Sequence, residues 1–270
     1  MILAFSSISA LLLITVFIIM QGAPIIGEVG LFKFIFGMTW APGKGEYGIY
    51  PFIVGTVTVT LGAAILGVPI GIACAVFLTE YAPELIRNVF RPIVQLLAGI
   101  PSVVYGFWGL IYIVPFVREN LGGPGLSILS GAVILAIMIL PTVISISEVS
   151  IAATPREYRD GAFALGMTQW QTIKSVILPA SRSGIIAAVI LGIGRAVGET
   201  MAVMMILGNA VALPESILDP VRTLTTNIGI EMGYATGSHR EALFATGIVL
   251  FVIIMILNAS AQYAAKGKRR

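Results

Sequence analysis

The sequence predicts an all-α membrane protein of about six transmembrane helices, and three observations support this. Hydrophobic residues make up 57% of the 270 residues and charged residues only 11%, whereas an average soluble domain has roughly 25% charged residues. The mean hydropathy is +0.99. The hydrophobic residues are gathered into stretches of about 20, which is the length that crosses the hydrocarbon core of a bilayer.

Six stretches meet this length criterion. They are residues 2–21, 53–79, 92–116, 127–147, 184–208 and 242–262. Each is predicted to be an α-helix, because backbone groups in lipid must pair within their own segment. The first stretch could also be the apolar core of a signal peptide, but it lacks a basic n-region, and five further spans favour a retained helix. We therefore expect residues 1–270 to form a single transmembrane domain.

Lysine and arginine residues are distributed unevenly between the two sides of this bundle. Ten lie in segments 80–91 and 148–183 and in the C-terminal tail, and five lie in the segments of the opposite side. The side richer in Lys and Arg is cytoplasmic in most membrane proteins. The asymmetry predicts that both termini and segment 148–183 lie in the cytoplasm.

The predicted cytoplasmic segment 148–183 has the pattern of a helical hairpin. The run 154–157 (Thr-Pro-Arg-Glu) resembles a capping box with proline in the first helical position, and Gly166 suits the left-handed end of the helix that follows. The run 168–171 (Thr-Gln-Trp-Gln) repeats the capping pattern and begins a second short helix, which Pro179 bounds. Such a hairpin could cap the bundle or dock a partner.

Two charged residues lie inside the fifth predicted span. Placing Arg195 or Glu199 at bilayer depth costs roughly 2.5–3.5 kcal/mol each, so both should face the bundle interior, a partner or water. Their spacing of four places them on one helical face, where they can pair. Two interpretations remain open: a structural ion pair, or an arginine fork for an oxyanion that Glu199 holds in place.

The third predicted span contains a proline, Pro101, which follows Gly99 and Ile100. Proline removes a backbone donor and kinks or breaks a helix. A packing kink and a kink beside a transport pathway are both compatible with this pattern.

Enzyme and metal-site functions are not indicated. Cys74 is the only cysteine and His239 the only histidine, so the chain can form neither an internal disulfide nor a His/Cys metal centre. We find no nucleophile–base pattern and no Gly-x-x-x-x-Gly-Lys-Ser/Thr phosphate loop. The sequence predicts no catalytic residues, no metal, no cofactor and no nucleic-acid partner.

The hairpin segment resembles the EAA loop of ABC importer permeases, whose pattern is Glu-Ala-Ala, three residues, Gly, nine residues, Ile, one residue and Leu-Pro. The matching positions in this chain are Asp160, Gly161, Ala162, Gly166, Val176, Leu178 and Pro179. Three of them depart from the pattern in residue type: Asp160, Gly161 and Val176. The resemblance implies that the loop forms a coupling helix that lies in a groove of an ATPase subunit.

A wider resemblance covers most of the chain. Residues 47–56, 97–106 and 198–203 (Gly-Glu-Thr-Met-Ala-Val) are similar to the PstC family, permease subunits of phosphate-specific ABC importers. The sister family PstA usually continues Gly-Glu-Thr with Ala-Pro, which favours PstC. The resemblance implies a type I ABC importer permease fold and, at the positions of Arg195 and Glu199, residues associated with phosphate passage.

The resemblance also implies a location and partners. These are a prokaryotic cytoplasmic membrane that the chain crosses several times, a PstA-like second permease subunit, a dimer of a PstB-like ATPase, an extracytoplasmic PstS-like phosphate-binding protein, and inorganic phosphate. Another oxyanion, such as molybdate, sulfate or a phosphonate, is the first alternative. A secondary transporter or channel is the second, and its marks would be inverted repeats or several intramembrane carboxylates.

Overall fold

The structure, a computed structural model, describes residues 2–266. The thirteen α-helices in this range are α1 (Ile2–Val29), α2 (Leu31–Phe36), α3 (Tyr50–Val76), α4 (Glu84–Gly99), α5 (Ser102–Trp108), α6 (Val114–Asn120), α7 (Ile128–Ala152), α8 (Arg156–Ala164), α9 (Gln169–Thr172), α10 (Leu178–Gly198), α11 (Met201–Ile206), α12 (Leu224–Glu231) and α13 (Gly237–Lys266). Strands β1 (Trp40–Ala41) and β2 (Glu46–Tyr47) form one small antiparallel hairpin. The basic tail residues Lys268, Arg269 and Arg270 lie outside the described residues.

The expected number of spans is confirmed. Within residues 2–266, five helical stretches are long and apolar enough to cross a membrane: Phe5–Val29, Tyr50–Tyr81, Ile128–Ala152, Gln169–Gly198 and Gly237–Ser260. The helices Glu84–Gly99 and Ser102–Asn120 meet the same criterion only as a pair bent by 94°, which is either a broken sixth span or a re-entrant loop. The described part of the chain is therefore an all-α bundle of five to six spans.

Helix α7 forms the centre of the bundle and packs against both α3 and α10. Small residues allow this close packing, since a Cβ added at Gly67 of α3 would lie 2.9 Å from the Ala136 carbonyl oxygen of α7. Helix α1, in contrast, packs chiefly against α13. Close helix–helix approach through glycine is typical of membrane bundles, where dispersion contacts replace hydrophobic burial as the driving force.

The fifth predicted span, 184–208, is not one continuous helix. Helix α10 ends at Gly198, Glu199 adopts an extended backbone conformation with ψ of 129°, and the short helix α11 begins at Met201. The break is stabilised locally: the Glu199 side chain accepts a hydrogen bond from the Ala202 N–H at 3.2 Å. In addition, the Thr225 hydroxyl donates to the Glu199 carbonyl at 2.9 Å. The expected span 184–208 is therefore interrupted at Glu199.

A buried charged network joins the elements on the other side of the bundle from the hairpin. Arg222 donates to Glu231 on α12 at 2.6 Å, and Glu231 also contacts the Trp40 indole N–H and His239 Nε2, both at 2.8 Å. The sequence indicated a loop between spans over this region, but α12 is packed into the bundle. Removing one member of such a network typically costs 3–5 kcal/mol, since it leaves a buried charge unpaired.

The hairpin forms as α8 and α9, with one of its two expected caps. The expectation that Pro179 bounds the second helix is wrong, because α9 continues through residues 173–177 into α10 as one helical stretch, Gln169–Gly198. Thr168 and Gln171 make the complete capping box at the start of α9, and Gly166 has the expected left-handed conformation, with φ of +79°. The capping box at 154–157 does not form, because Pro155 occupies the cap position. The carbonyl of Thr154 instead accepts a hydrogen bond from Arg159 at 2.7 Å.

Candidate functional site

Arg195 lies in the last turn of α10, at the break that precedes α11, and its side chain is partly exposed. Three arginine–carboxylate ion pairs and one histidine–carboxylate contact join described residues, and none of them includes Arg195. A structural ion pair between Arg195 and Glu199 was one of the two interpretations left open, and it does not form: the Glu199 side chain accepts a hydrogen bond from the Ala202 N–H instead. Arg195 thus carries a charge that these described pairs leave uncompensated.

A second chain break lies next to the first. Ile100 at the α4–α5 break packs against the core cluster that contains Ala196 and Ala202. Helices α5 and α11 touch closely, since a Cβ added at Gly106 would lie 2.8 Å from the Ala202 Cα. Interrupted helices that meet inside a bundle are the elements from which membrane transporters commonly build substrate sites.

Tyr105 connects the two breaks. Its hydroxyl donates a hydrogen bond to the Leu97 carbonyl at 2.8 Å, and its ring belongs to the core cluster that contains Ala196 and Ala202. The turn of α10 that carries Arg195 therefore packs beside the broken third span. An uncompensated, partly exposed guanidinium offers a planar set of donors that matches a tetrahedral oxyanion.

The predicted docking residues lie together on the hairpin and at its end. Asp160 and Gly161 are exposed on α8, whereas Ala162 is buried. Leu178 and Pro179 begin α10, and Gly166 makes the turn described above. Four large side chains of the hairpin are also exposed: Tyr158, Phe163, Leu165 and Trp170. Tyr158, Phe163 and Leu165 lie outside the spans, and Trp170 lies at the very start of the Gln169–Gly198 stretch. An exposed apolar and aromatic surface at the end of a bundle is typical of a protein–protein contact.

The contacts that fix the hairpin to the bundle have no counterpart among the features predicted from the sequence. Arg159 of α8 donates to both carboxylate oxygens of Glu80, at 2.7 and 3.4 Å. It also donates to the carbonyls of Thr154 and Ile151, where α7 ends. The Gln169 side chain donates to the Glu80 carbonyl at 2.8 Å. We call Arg159 and Glu80 the hairpin clamp. The acidic residue directly after an apolar span was the only sequence signal for it.

The described residues form a membrane bundle with interrupted helices, and one arginine at such a break has no ion-pair partner among them. Together with the hairpin, these features are those of a membrane transport permease rather than an enzyme. Residues 67–270 match the family described as binding-protein-dependent transport system inner membrane component. The chain belongs to this family. The fold class expected from the sequence is thereby confirmed as that of an ABC importer permease of the inner membrane.

Relatives and solved structures agree with this assignment. The probable ABC transporter permease protein YqgH of Bacillus subtilis (strain 168) is 41% identical over 269 residues, covering 97% of this chain and 87% of that protein. The phosphate transport system permease protein PstC of Xylella fastidiosa (strain 9a5c) is 38% identical over 250 residues, covering 85% and 77%. The PstC protein of Haemophilus influenzae (strain ATCC 51907 / DSM 11121 / KW20 / Rd) is 35% identical over 286 residues, covering 94% and 90%.

The similar solved structures are ABC transporters. A bacterial ABC transporter involved in the import of the acidic polysaccharide alginate matches with a TM-score of 0.63 at 17% identity, covering 97% of this chain and 96% of that one. The MetNI methionine ABC transporter in an inward-facing conformation matches with a TM-score of 0.62 at 20% identity, covering 80% and 94%. At these identities the similarity establishes the fold alone.

Proposed function

We propose that this chain is the phosphate-conducting permease subunit of an ATP-driven importer, with residues 1–270 acting as one permease domain. Family membership and the relatives named as phosphate permeases support the proposal. The observation within the structure that carries it is Arg195, a partly exposed arginine without an ion-pair partner in residues 2–266, placed where two interrupted helices meet.

Arg195 provides the cation that compensates phosphate at membrane depth. A doubly charged tetrahedral anion loses its hydration on entering the bundle, and charge-assisted hydrogen bonds to a guanidinium replace part of it. Glu199 lies four residues away and contributes negative charge nearby, which keeps the site from holding the anion too strongly. A transport site must bind well enough to admit its substrate and weakly enough to release it.

The hairpin provides the contact with the ATPase. We propose that Asp160, Gly161, Ala162 and Gly166 shape the coupling helix, that Leu178 and Pro179 connect it to α10, and that a PstB-like ATPase dimer receives it. A PstA-like second permease subunit completes the pathway, and a PstS-like protein delivers phosphate on the extracytoplasmic side. The exposed hairpin surface and the family's dependence on a binding protein support this arrangement.

Substrate competition distinguishes phosphate from the other oxyanions. With the complete complex reconstituted in liposomes, we expect ATP-dependent uptake of labelled phosphate that unlabelled phosphate suppresses and that equal concentrations of sulfate, molybdate or a phosphonate leave nearly unchanged. Liposomes without ATP serve as the control. If sulfate or molybdate suppressed phosphate uptake equally and was itself taken up when labelled, that anion would be the substrate in place of phosphate. Uptake that needs no ATPase subunit would favour a secondary transporter or channel.

The proposed orientation has both termini and the hairpin in the cytoplasm. Lys44, in the turn between β1 and β2, and Lys174, which follows α9, are both exposed. In a Cys74→Ala background, we expect a membrane-impermeant thiol reagent added to intact cells to label Lys44→Cys but not Lys174→Cys. Permeabilised cells, in which both positions should react, are the control. Labelling of Lys174→Cys in intact cells would show that the chain has the opposite orientation in the membrane.

A further inference from the structure

Helix α4 differs from the other spans in having one polar face. Its polar face carries Glu84, Asn88, Arg91 and Gln95, and the opposite face carries Leu85, Val89, Ile93 and Leu96. These spacings of three and four place each set on one side of the helix. The side chains of both sets are exposed. Because polar side chains are costly against lipid, the polar face of α4 must border water or protein.

Two adjoining cavities border α4. The first, of about 400 Å³, lies between α4 and the end of α7, and its polar lining consists of Arg91, Gln95, Ser145 and Glu148. The second, of about 490 Å³, continues along α4 from Gln95 to Pro101. Gln95 lines both cavities, which therefore adjoin along α4 between the hairpin end of α7 and the α4–α5 break. We call the two cavities together the α4 groove.

Arg91 is the charged residue of the groove with free donors. Its Nε donates to Glu148 at 2.6 Å, and its side chain is 46% exposed, whereas that of Glu148 is 10% exposed. Among residues 2–266, this carboxylate is the only hydrogen-bond partner of its guanidinium. Glu148 therefore orients Arg91 and leaves its two terminal amino groups available. A planar pair of such donors matches two oxygens of a tetrahedral anion.

The groove ends near the turn of α10 that carries Arg195. At its inner end, the second cavity includes Leu97, Ile100 and Pro101. The Leu97 carbonyl accepts a hydrogen bond from the Tyr105 hydroxyl at 2.8 Å, and Ile100 packs against the core cluster of Tyr105 and Ala196, the residue after Arg195. The groove thus reaches the helix break, which lies beside the turn that carries Arg195.

We propose that Arg91, held by Glu148 and assisted by Gln95, forms a second oxyanion site, at which the transported anion pauses between Arg195 and the cytoplasm. The proposal rests on the function proposed above for Arg195. The carboxylate of Glu148 keeps this site weak, because its charge offsets that of Arg91 while the amino groups stay free. Weak sites placed in series let an anion move on without falling into a deep energy minimum.

Charge-selective thiol labelling tests the site without relying on transport. We place the Gln95→Cys variant in a Cys74→Ala background, in the complete complex in inverted membrane vesicles, and compare an anionic and a cationic methanethiosulfonate reagent. We expect the anionic reagent to react faster. Adding Arg91→Gln should lower the anionic-to-cationic rate ratio by at least about fivefold, the effect of one nearby unit charge in a wet site. Lys174→Gln, which removes an exposed charge outside the groove, should leave the ratio unchanged.

An unchanged ratio in the Arg91→Gln variant would overturn the proposal. Where that variant fails to assemble, Gln95→Glu replaces it: this change keeps the ion pair but adds negative charge to the groove, and it should lower phosphate uptake at least about tenfold. Wild-type uptake by Gln95→Glu would equally overturn the second site.

The experiment separates this proposal from the function on which it rests. A groove that selects anionic reagents in a complex that imports no phosphate would reject phosphate as the substrate and keep the anion site. Normal phosphate uptake with no charge selectivity at position 95 would reject the site at Arg91 and keep the proposed function. Arg91→Lys provides the graded case, because it keeps the charge but loses the planar fork.

Discussion

Arg195→Gln should lower phosphate uptake by about 100-fold, while the complex assembles as well as the wild type. The anion would lose the charge-assisted hydrogen bonds that compensate it at membrane depth, a loss of roughly 3 kcal/mol. Assembly should be preserved because Arg195 has no ion-pair partner among the described residues, so glutamine leaves none of them without its partner. The measurement is uptake of labelled phosphate, normalised to purified complex.

Two further variants separate charge from geometry. Arg195→Lys should retain part of the uptake, since the charge remains but the planar fork does not. The Arg195→Gln/Glu199→Gln double variant should transport as poorly as Arg195→Gln alone. Glu199→Gln keeps an acceptor for the Ala202 N–H, so the α10–α11 break should survive. Wild-type uptake by the double variant would return both residues to a structural role.

The sequence predicted those parts of the molecule that depend on local patterns. Apolar length located the spans, because the cost of unpaired backbone groups in lipid leaves a long apolar stretch few alternatives to a helix. Local chemistry also located the turn of the hairpin, where Gly166 takes a positive φ. Pro101 predicted the break in the third span, because a proline has no backbone N–H to donate within a helix.

The sequence did not predict features that depend on distant partners. The break at Glu199 has no proline. It is stabilised by Thr225, which lies 26 residues away. Glu231 accepts hydrogen bonds from Arg222 and from the indole N–H of Trp40, which lies 191 positions away. In both cases the decisive partner comes from another element, so helical spacing alone favoured a continuous helix and a local ion pair.

The hairpin clamp should determine how efficiently ATP hydrolysis drives transport. Arg159 joins α8 to Glu80, in the helical segment Phe77–Tyr81 that continues α3, and to the carbonyls of Ile151 and Thr154 at the end of α7. A movement imposed on α8 by an ATPase would therefore be transmitted to α3 and α7. Arg159→Ala removes these connections but leaves the exposed side chains Leu165 and Trp170 in place. We expect normal co-purification of the ATPase and about tenfold less phosphate imported per ATP hydrolysed, in the range of typical coupling free energies.

The matched comparison lies on the same helix. Arg156 is exposed, and the described structure assigns it no hydrogen bond or ion pair, so Arg156→Gln removes a positive charge from α8 without touching the clamp and should keep the wild-type ratio. The ratio of phosphate imported to ATP hydrolysed in Glu80→Gln should fall between those of the two arginine variants. Its amide still accepts one hydrogen bond from Arg159 but cannot form the charge-assisted bidentate pair. Loss of the ATPase from the Arg159→Ala complex would show that Arg159 is needed for docking. A wild-type ratio of uptake to hydrolysis in that variant would show that the clamp has no role in coupling.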